Sequence, residues 1–184
     1  MRHGITKGAL AAIALCAALH LGGCVTRSKY NTMLQQQESL ENSLRSEIAA
    51  DQVKIEQLEN GIRVQMSNDL LYRSGSVELH QNGRSALDKV AAQLATMASE
   101  GNRVDVVGNT DDVPVGAELA GRYPTNWELA GARAAVVVRY LQEKGVDPTK
   151  LEAVSHGQYH PAASDTSAAG RAQNRRTELL IRPQ

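Results

Sequence analysis

Two charged features in the C-terminal half of the chain could do chemistry together. Val104, Val106 and Val107 form a short β pattern that runs into Gly108-Asn109-Thr110-Asp111-Asp112, an acidic corner, and the helix that follows carries Arg133. At about 100° per residue, the apolar stripe of that helix is Leu129, Ala132, Val136, Val137 and Tyr140, with Arg133 near its middle. A core-facing guanidinium must snorkel out or find an anion, because a desolvated, unpaired charge is strongly unfavourable. Asn126 lies two turns before Arg133 on nearly the same face, beside the exposed N–H groups of the first turn. A carboxylate at one end of this unit and an inward guanidinium on its helix are the parts of a zwitterion reader. A free amino-acid end carries both charges close together, so one carboxylate and one guanidinium fork orient it. Plainer readings stand beside this one: Asp111 pairs with Arg133, and Asp112 is a turn residue.

The elements that must position these side chains follow from spacing. Thr125 and Glu128 form a capping-box pattern that opens the Arg133 helix, and Lys144-Gly145 closes it. Between Asp111 and Asn126, Pro114, Gly116 and Gly121 mark a loop longer than most connections, which makes it a candidate for function. Leu151 to Ser155 reads as a strand, so strand, crossover helix and strand predict a right-handed parallel unit. Upstream, Arg63 to Ser67 is a strand with Val64 and Met66 on one face. After the Ser74-Gly75-Ser76 loop, the spacing Leu87, Val90, Leu94, Met97 predicts an amphipathic helix ended by Gly101-Asn102. Downstream come a loop over 157–167, a helical turn over 168–172 and a last strand over 177–181. Asn174-Arg175-Arg176 stands just ahead of that strand, and the plain reading of both arginines is solvated strand-edge charge.

The beginning of the chain reads differently. Arg2, His3 and Lys7 precede an apolar run from Ala9 to Leu21, of secretory length and shorter than the roughly 20 residues a spanning helix needs. It ends in Leu21-Gly22-Gly23-Cys24, which resembles the bacterial lipoprotein processing box. That resemblance implies a signal peptide over 1–23, a lipid-modified Cys24 and, since Val25 is not Asp, the outer membrane. Cys16 leaves with the leader, so no pair remains for an intrachain disulfide.

Residues 24–61 are rich in Gln and Glu, lack Gly and Pro until Asn60-Gly61, and predict a helical spacer. Leu44, Ile48, Asp51, Ile55, Leu58 and Ile62 step by heptad intervals, which suggests a short coiled coil and a homo-oligomer through residues 30–62. As one helix the spacer would reach about 50 Å and hold the domain that follows off the membrane. A helix packed on its own domain and a solvated linker are the other readings.

Composition excludes several classes. The chain has 184 residues, equal numbers of basic and acidic side chains, no Phe and a single Trp, so neither a nucleic-acid footprint nor an acidic tail is present. No Ser or Cys stands in an elbow or triad context, and Asp111 and Asp112 are sequence neighbours rather than a converging dyad. His156 and His160 are four apart, but Gly157 and Pro161 deny them a helix, so neither a metal nor any other cofactor is expected. The chain reads as a non-enzyme.

Taken in order, Ser74-Gly75-Ser76, Gly108-Asn109-Thr110-Asp111, Asn126-Trp127-Glu128-Leu129 with Ala132-Arg133-Ala134, Gly157-Gln158-Tyr159-His160-Pro161 and Gly170 to Arg176 resemble the OmpA-like peptidoglycan-binding domain, closest to its MotB-type branch, over about residues 62–182. Asn109 stands where the family usually has His, which alters a loop hydrogen bond, and the loop after Asp111 is longer than in many members. The resemblance implies an α+β fold, a βαβαβ(α)β mixed sheet with helices on one face, occupying 62–184 and preceded by a long N-terminal helix. It also implies noncovalent binding of the diaminopimelate in the peptidoglycan stem peptide, with Asp111 on the ammonium and Arg133 on the adjacent carboxylate. Thr110, Asn126 and Arg175 match positions that add hydrogen bonds or charge. The expected role is an outer-membrane lipoprotein, facing the periplasm, that tethers the envelope to the wall. The alternative is a wall-anchored accessory of a stator or secretion machine. A stator of the MotB kind would need a spanning helix bearing an acid, and residues 9–21 supply neither.

Overall fold

Alternation of period two decides the sheet. Ile62, Val64 and Met66 on one strand face Ile181, Leu179 and Thr177 on another, and Val104 and Val106 continue the same rows. These rows form a mixed five-stranded sheet in a computed structural model that describes residues 27–184. Its strands are β1 (Val53–Leu58), β2 (Gly61–Ser67), β3 (Asn102–Asn109), β4 (Leu151–Gly157) and β5 (Arg176–Pro183), in the order β1-β2-β5-β3-β4. Only β3 and β4 run parallel; the other neighbours are antiparallel. The fold is α+β, as expected, with one strand more than the sequence pattern suggested.

Between the strands lie α2 (Asn68–Leu71), α3 (Gln81–Ser99), α4 (Ala117–Ala120), α5 (Asn126–Glu143) and α6 (Ala168–Asn174), with α1 (Arg45–Ala49) before them all. The core sits where the apolar rows meet α3 and α5. From α3 come Leu87, Val90, Leu94 and Met97, the four predicted positions, all buried. From α5 come Ala130, Ala134, Val137 and Leu141. The stripe therefore lies somewhat round the helix from its predicted centre: Ala132 and Val136 are only half-buried, and Arg133 falls within the buried arc. Gly108 explains how closely α5 approaches: a Cβ there would lie 2.2 Å from the Ala130 carbonyl oxygen, so helix and strand meet backbone to backbone. That contact sets the start of α5 against the end of β3.

The other face of the sheet is an ion-pair lattice. Arg63 reaches Glu56 at 3.2 Å and Glu178 at 3.5 Å, Arg176 pairs with Glu178 at 2.8 Å, and both Arg103 and Arg182 pair with Asp105. Arg176 is thus buried and paired, not the solvated strand-edge charge its position suggested.

The largest correction concerns residues 37–61. A helix does precede the sheet, but it ends at Ala49, and the presumed spacer is part of the body. Residues 37–184 form one compact unit; the described residues before it, 27–36, are helical and belong to a separate N-terminal unit. Leu40 and Leu44 are both 0% exposed. Gln93 of α3 donates to the Ser39 carbonyl and the Ser43 hydroxyl, and Lys89 pairs with Glu47 at 2.5 Å. The heptad reading breaks at Asp51, whose φ of 56° ends the helix, and Val53 to Leu58 leave as β1. Asn60-Gly61 stops no helix; Glu59 and Asn60 form the loop of a hairpin that pairs β1 with β2, Leu58 facing Gly61. A run of Val, Ile and Leu this short fits either period, and pairing with an open sheet edge decided it. The predicted seam is therefore not one continuous helical stripe, because Leu44 and Ile62 are buried in the body and Ile55, Leu58 and Ile62 lie on strands. The stretch expected to be a signal peptide and Cys24 lie outside the described residues, and no helix among the described residues is long and apolar enough to cross a membrane.

Candidate functional site

Four charges of balanced sign converge where β3 ends. Asp111 is buried just beyond β3, and Arg175, at the junction of α6 and β5, donates Nη1 to its Oδ2 at 2.9 Å. Asp69 on α2 stands 3.7 Å from the same guanidinium. Arg133 completes the set: burial holds its pKa below the ordinary arginine value, Tyr72, Asp111 and Asp69 oppose that shift, and Arg175 adds to it. Asp111 and Arg133 are therefore within electrostatic reach, as the zwitterion reading requires, but they are not paired with each other. The plainer reading of Asp111 survives with a different partner, Arg175.

Arg133 and Asp111 are each held by hydrogen bonds on one side and, among the described residues, keep one polar atom without a partner. Arg133 donates Nε and Nη2 to the Ser76 carbonyl at 3.2 and 3.1 Å and lies over the Tyr72 ring, 5.2 Å from its centroid. Among the described residues no acceptor is bonded to its Nη1, nor any donor to Asp111 Oδ1. One guanidinium edge and one carboxylate oxygen are thus available to a ligand carrying the opposite pair of charges.

A buried polar network fixes this geometry. Tyr72 places its hydroxyl 3.1 Å from both the Arg133 carbonyl and the Thr177 hydroxyl; Thr177 donates to Asn68 Oδ1, and Asn68 donates to the Asn109 carbonyl. Sheet, α2, α5 and the acidic corner are so tied in one chain. Burial pushes the Tyr72 hydroxyl up to about 12. Because the folded value exceeds the unfolded one, the folded state binds the extra proton and its stability falls as pH rises from about 10 to 12, by roughly 2 to 3 kcal/mol. Urea titrations at pH 9 and 12 should show this loss in the native chain and a smaller one in Tyr72→Phe; equal losses would detach the effect from Tyr72.

Thr110 and Asn126 turn out to position rather than to reach outward. Thr110 donates its N–H to the Gly157 carbonyl at 2.8 Å and its hydroxyl to the Asp111 carbonyl. Asn126 is buried, with Nδ2 near the carbonyls of Asp111 and Val113 and 2.8 Å from Gln158 Oε1. The capping box at Thr125 and Glu128, with both of its hydrogen bonds formed, sets where α5 begins and so where Asn126 sits. Asp69, Tyr72 and Asn68 carry no signal in the sequence, and Gln158 enters there only as a member of the Gly157 to Pro161 motif; no periodicity marks them, and the fold brings α2 and the loop after β4 to the corner. His156 and His160 stack at 3.9 Å, and no group of three potential metal ligands occurs among the described residues.

Known proteins share this sequence and fold. The chain is 35% identical to Outer membrane protein A of Bordetella avium over 65% of its own length and 57% of that protein's. It is 39% identical to the Peptidoglycan-associated lipoprotein of Pseudomonas putida, over 56% of this chain and 57% of that one. It spans about half to three-fifths of the length of such curated relatives. Among solved structures, the cell wall anchor of the T6SS from Pseudomonas aeruginosa aligns with a TM-score of 0.70 at 30% identity, covering 79% of this chain and 97% of that one. Residues 71–175, which hold Tyr72, Asp111, Asn126, Arg133 and Arg175, match the OmpA family model, and the chain belongs to the OmpA family.

Proposed function

We propose that this chain binds peptidoglycan noncovalently, through the diaminopimelate of the stem peptide, and anchors the envelope to the wall without catalysis. The observation that carries this reading is a pair of opposite charges that, among the described residues, each keep one polar atom without a hydrogen-bond partner, Nη1 of Arg133 and Oδ1 of Asp111. The exposed end of diaminopimelate presents an ammonium and a carboxylate on one carbon, matching that pair of charges. With Arg175 and Asp69 the four charges sum to zero, which favours a zwitterion over a plain anion or cation. Relatives named as a peptidoglycan-associated lipoprotein and as a cell wall anchor support the assignment.

In this proposal Cys24 carries lipid in the outer membrane, and the body faces the periplasm. Two or three acyl chains anchor firmly, at about 0.8 kcal/mol per buried CH₂. Each wall contact can then be weak individually, since many copies act on one polymer. The decisive measurement is retention of the whole chain on purified peptidoglycan with and without free diaminopimelate. Release by diaminopimelate, and none by cadaverine, which has ammonium groups but no carboxylate, is expected; retention indifferent to the competitor would remove the zwitterion from the mechanism. The likeness to a secretion-system wall anchor supports a second reading, an accessory part of an envelope machine. In that case crosslinking in cells yields one discrete heteromeric band.

A further inference from the structure

Among the described residues, the body leaves three large apolar side chains exposed: Val113 at 49%, Trp127 at 45% and Tyr159 at 61%. They are not scattered. Asn126 Nδ2 bonds the Val113 carbonyl and Gln158 Oε1, so the single amide that holds the Asp111 carbonyl also binds the residue next to Tyr159 and is itself next to Trp127. Trp127 and Tyr159 stack, with ring centroids 5.1 Å apart and planes 25° apart. Their backbone is fixed from below: Ser155 donates to the Trp127 carbonyl at 2.8 Å, Thr110 donates to the Gly157 carbonyl, and Gly157, at φ 55°, turns the chain so that Tyr159 comes back over Trp127. A stacked aromatic pair held this firmly and left open is a preorganised shelf, linked through Asn126 to the Asp111 corner, not a core pair that failed to bury itself.

Its size and chemistry select the occupant. Two rings and one valine are far too small for a stable protein interface, which buries about 800 Å² per partner, but they suit one pyranose. Sugar rings present a C–H face that packs on the negative face of an aromatic ring while their hydroxyls stay wet. An N-acetyl methyl group could rest on Val113. We propose that Val113, Trp127 and Tyr159 form a second subsite, for an N-acetylated hexosamine of the glycan strand to which the stem peptide is attached. This rests on the stem-peptide reading of the Asp111–Arg133 cleft and makes the chain a reader of the peptide–sugar junction rather than of the peptide alone.

The test titrates the whole chain with two probes: a free diaminopimelate-containing stem tripeptide, and the same peptide on N-acetylglucosaminyl-N-acetylmuramic acid. The sugar-bearing probe should bind tighter by on the order of tenfold, and it alone should change the emission of Trp127, the single tryptophan of the chain. Tyr159→Ala should remove that gain and leave the affinity for the free peptide unchanged; Trp127→Ala should do the same. Equal affinity of the native chain for both probes would overturn the subsite, as would variants that weaken both probes alike, which is the mark of a scaffold role. Asp111→Ala separates the two levels. If it loses both probes while the sugar gives no gain in the native chain, only the subsite fails; if it binds both as well as the native chain does, the cleft reading fails.

Discussion

Asp111→Ala and Arg133→Ala should each abolish retention on peptidoglycan, with the fold kept. Truncating one partner of a desolvated charge pair costs about 2 to 5 kcal/mol, so affinity for the stem peptide should fall by roughly thirtyfold or more. The two variants fail for different reasons. Removing the Asp111 carboxylate takes away the ammonium acceptor and frees Arg175, which still has Asp69 at 3.7 Å and so is not stranded. Removing Arg133 takes away the carboxylate donor and leaves the Ser76 carbonyl to water. Arg133→Lys is the informative middle case: it keeps the charge but loses the fork that grips Ser76 with two nitrogens while offering a third, so partial loss is expected. Circular dichroism checks the fold. Undiminished retention by both alanine variants would reject the site outright.

The second large effect is on stability and lies far from the cleft. Leu44→Ala should destabilise the body by about 2 to 5 kcal/mol, the range for a fully buried leucine, because Leu44 is sealed inside the unit. The same substitution discriminates between the two views of the N-terminal helix. A coiled-coil seam predicts an unfolding midpoint that moves with protein concentration and a variant that dissociates. Packing within one chain predicts a midpoint independent of concentration in both forms. A chain begun at residue 62 should likewise fail to fold, since it lacks β1 as well as Leu40 and Leu44.

How much could be read in advance depended on whether the signal was local. The α5 helix was legible to the residue at its start, because the Thr125–Glu128 capping box is written into neighbouring positions and closes there. The rows of β2, β3 and β5 were legible because alternation must match the single buried face. Asp111 and Arg133 were legible as an acid at a strand end and a cation inside an apolar arc. Residues 53–58 were not, since six residues with apolar side chains only at Val53, Ile55 and Leu58 fit either period until a neighbouring strand offers hydrogen bonds.

Local spacing thus marked Arg133 as a cation on an apolar helix face and Asp111 as an acid at a strand end, since periodicity acts residue by residue, but it left Arg176 on the surface, where the fold buries it. Which charges meet was settled by the folding of distant segments onto one another. Arg175 found Asp111 across 64 positions. Tyr72 slid beneath Arg133, and Trp127 met Tyr159, because Gly108 lets α5 touch β3 and the loop after β4 folds back over both. Pairings of that kind depend on where backbones cross, and no spacing along the chain records a crossing.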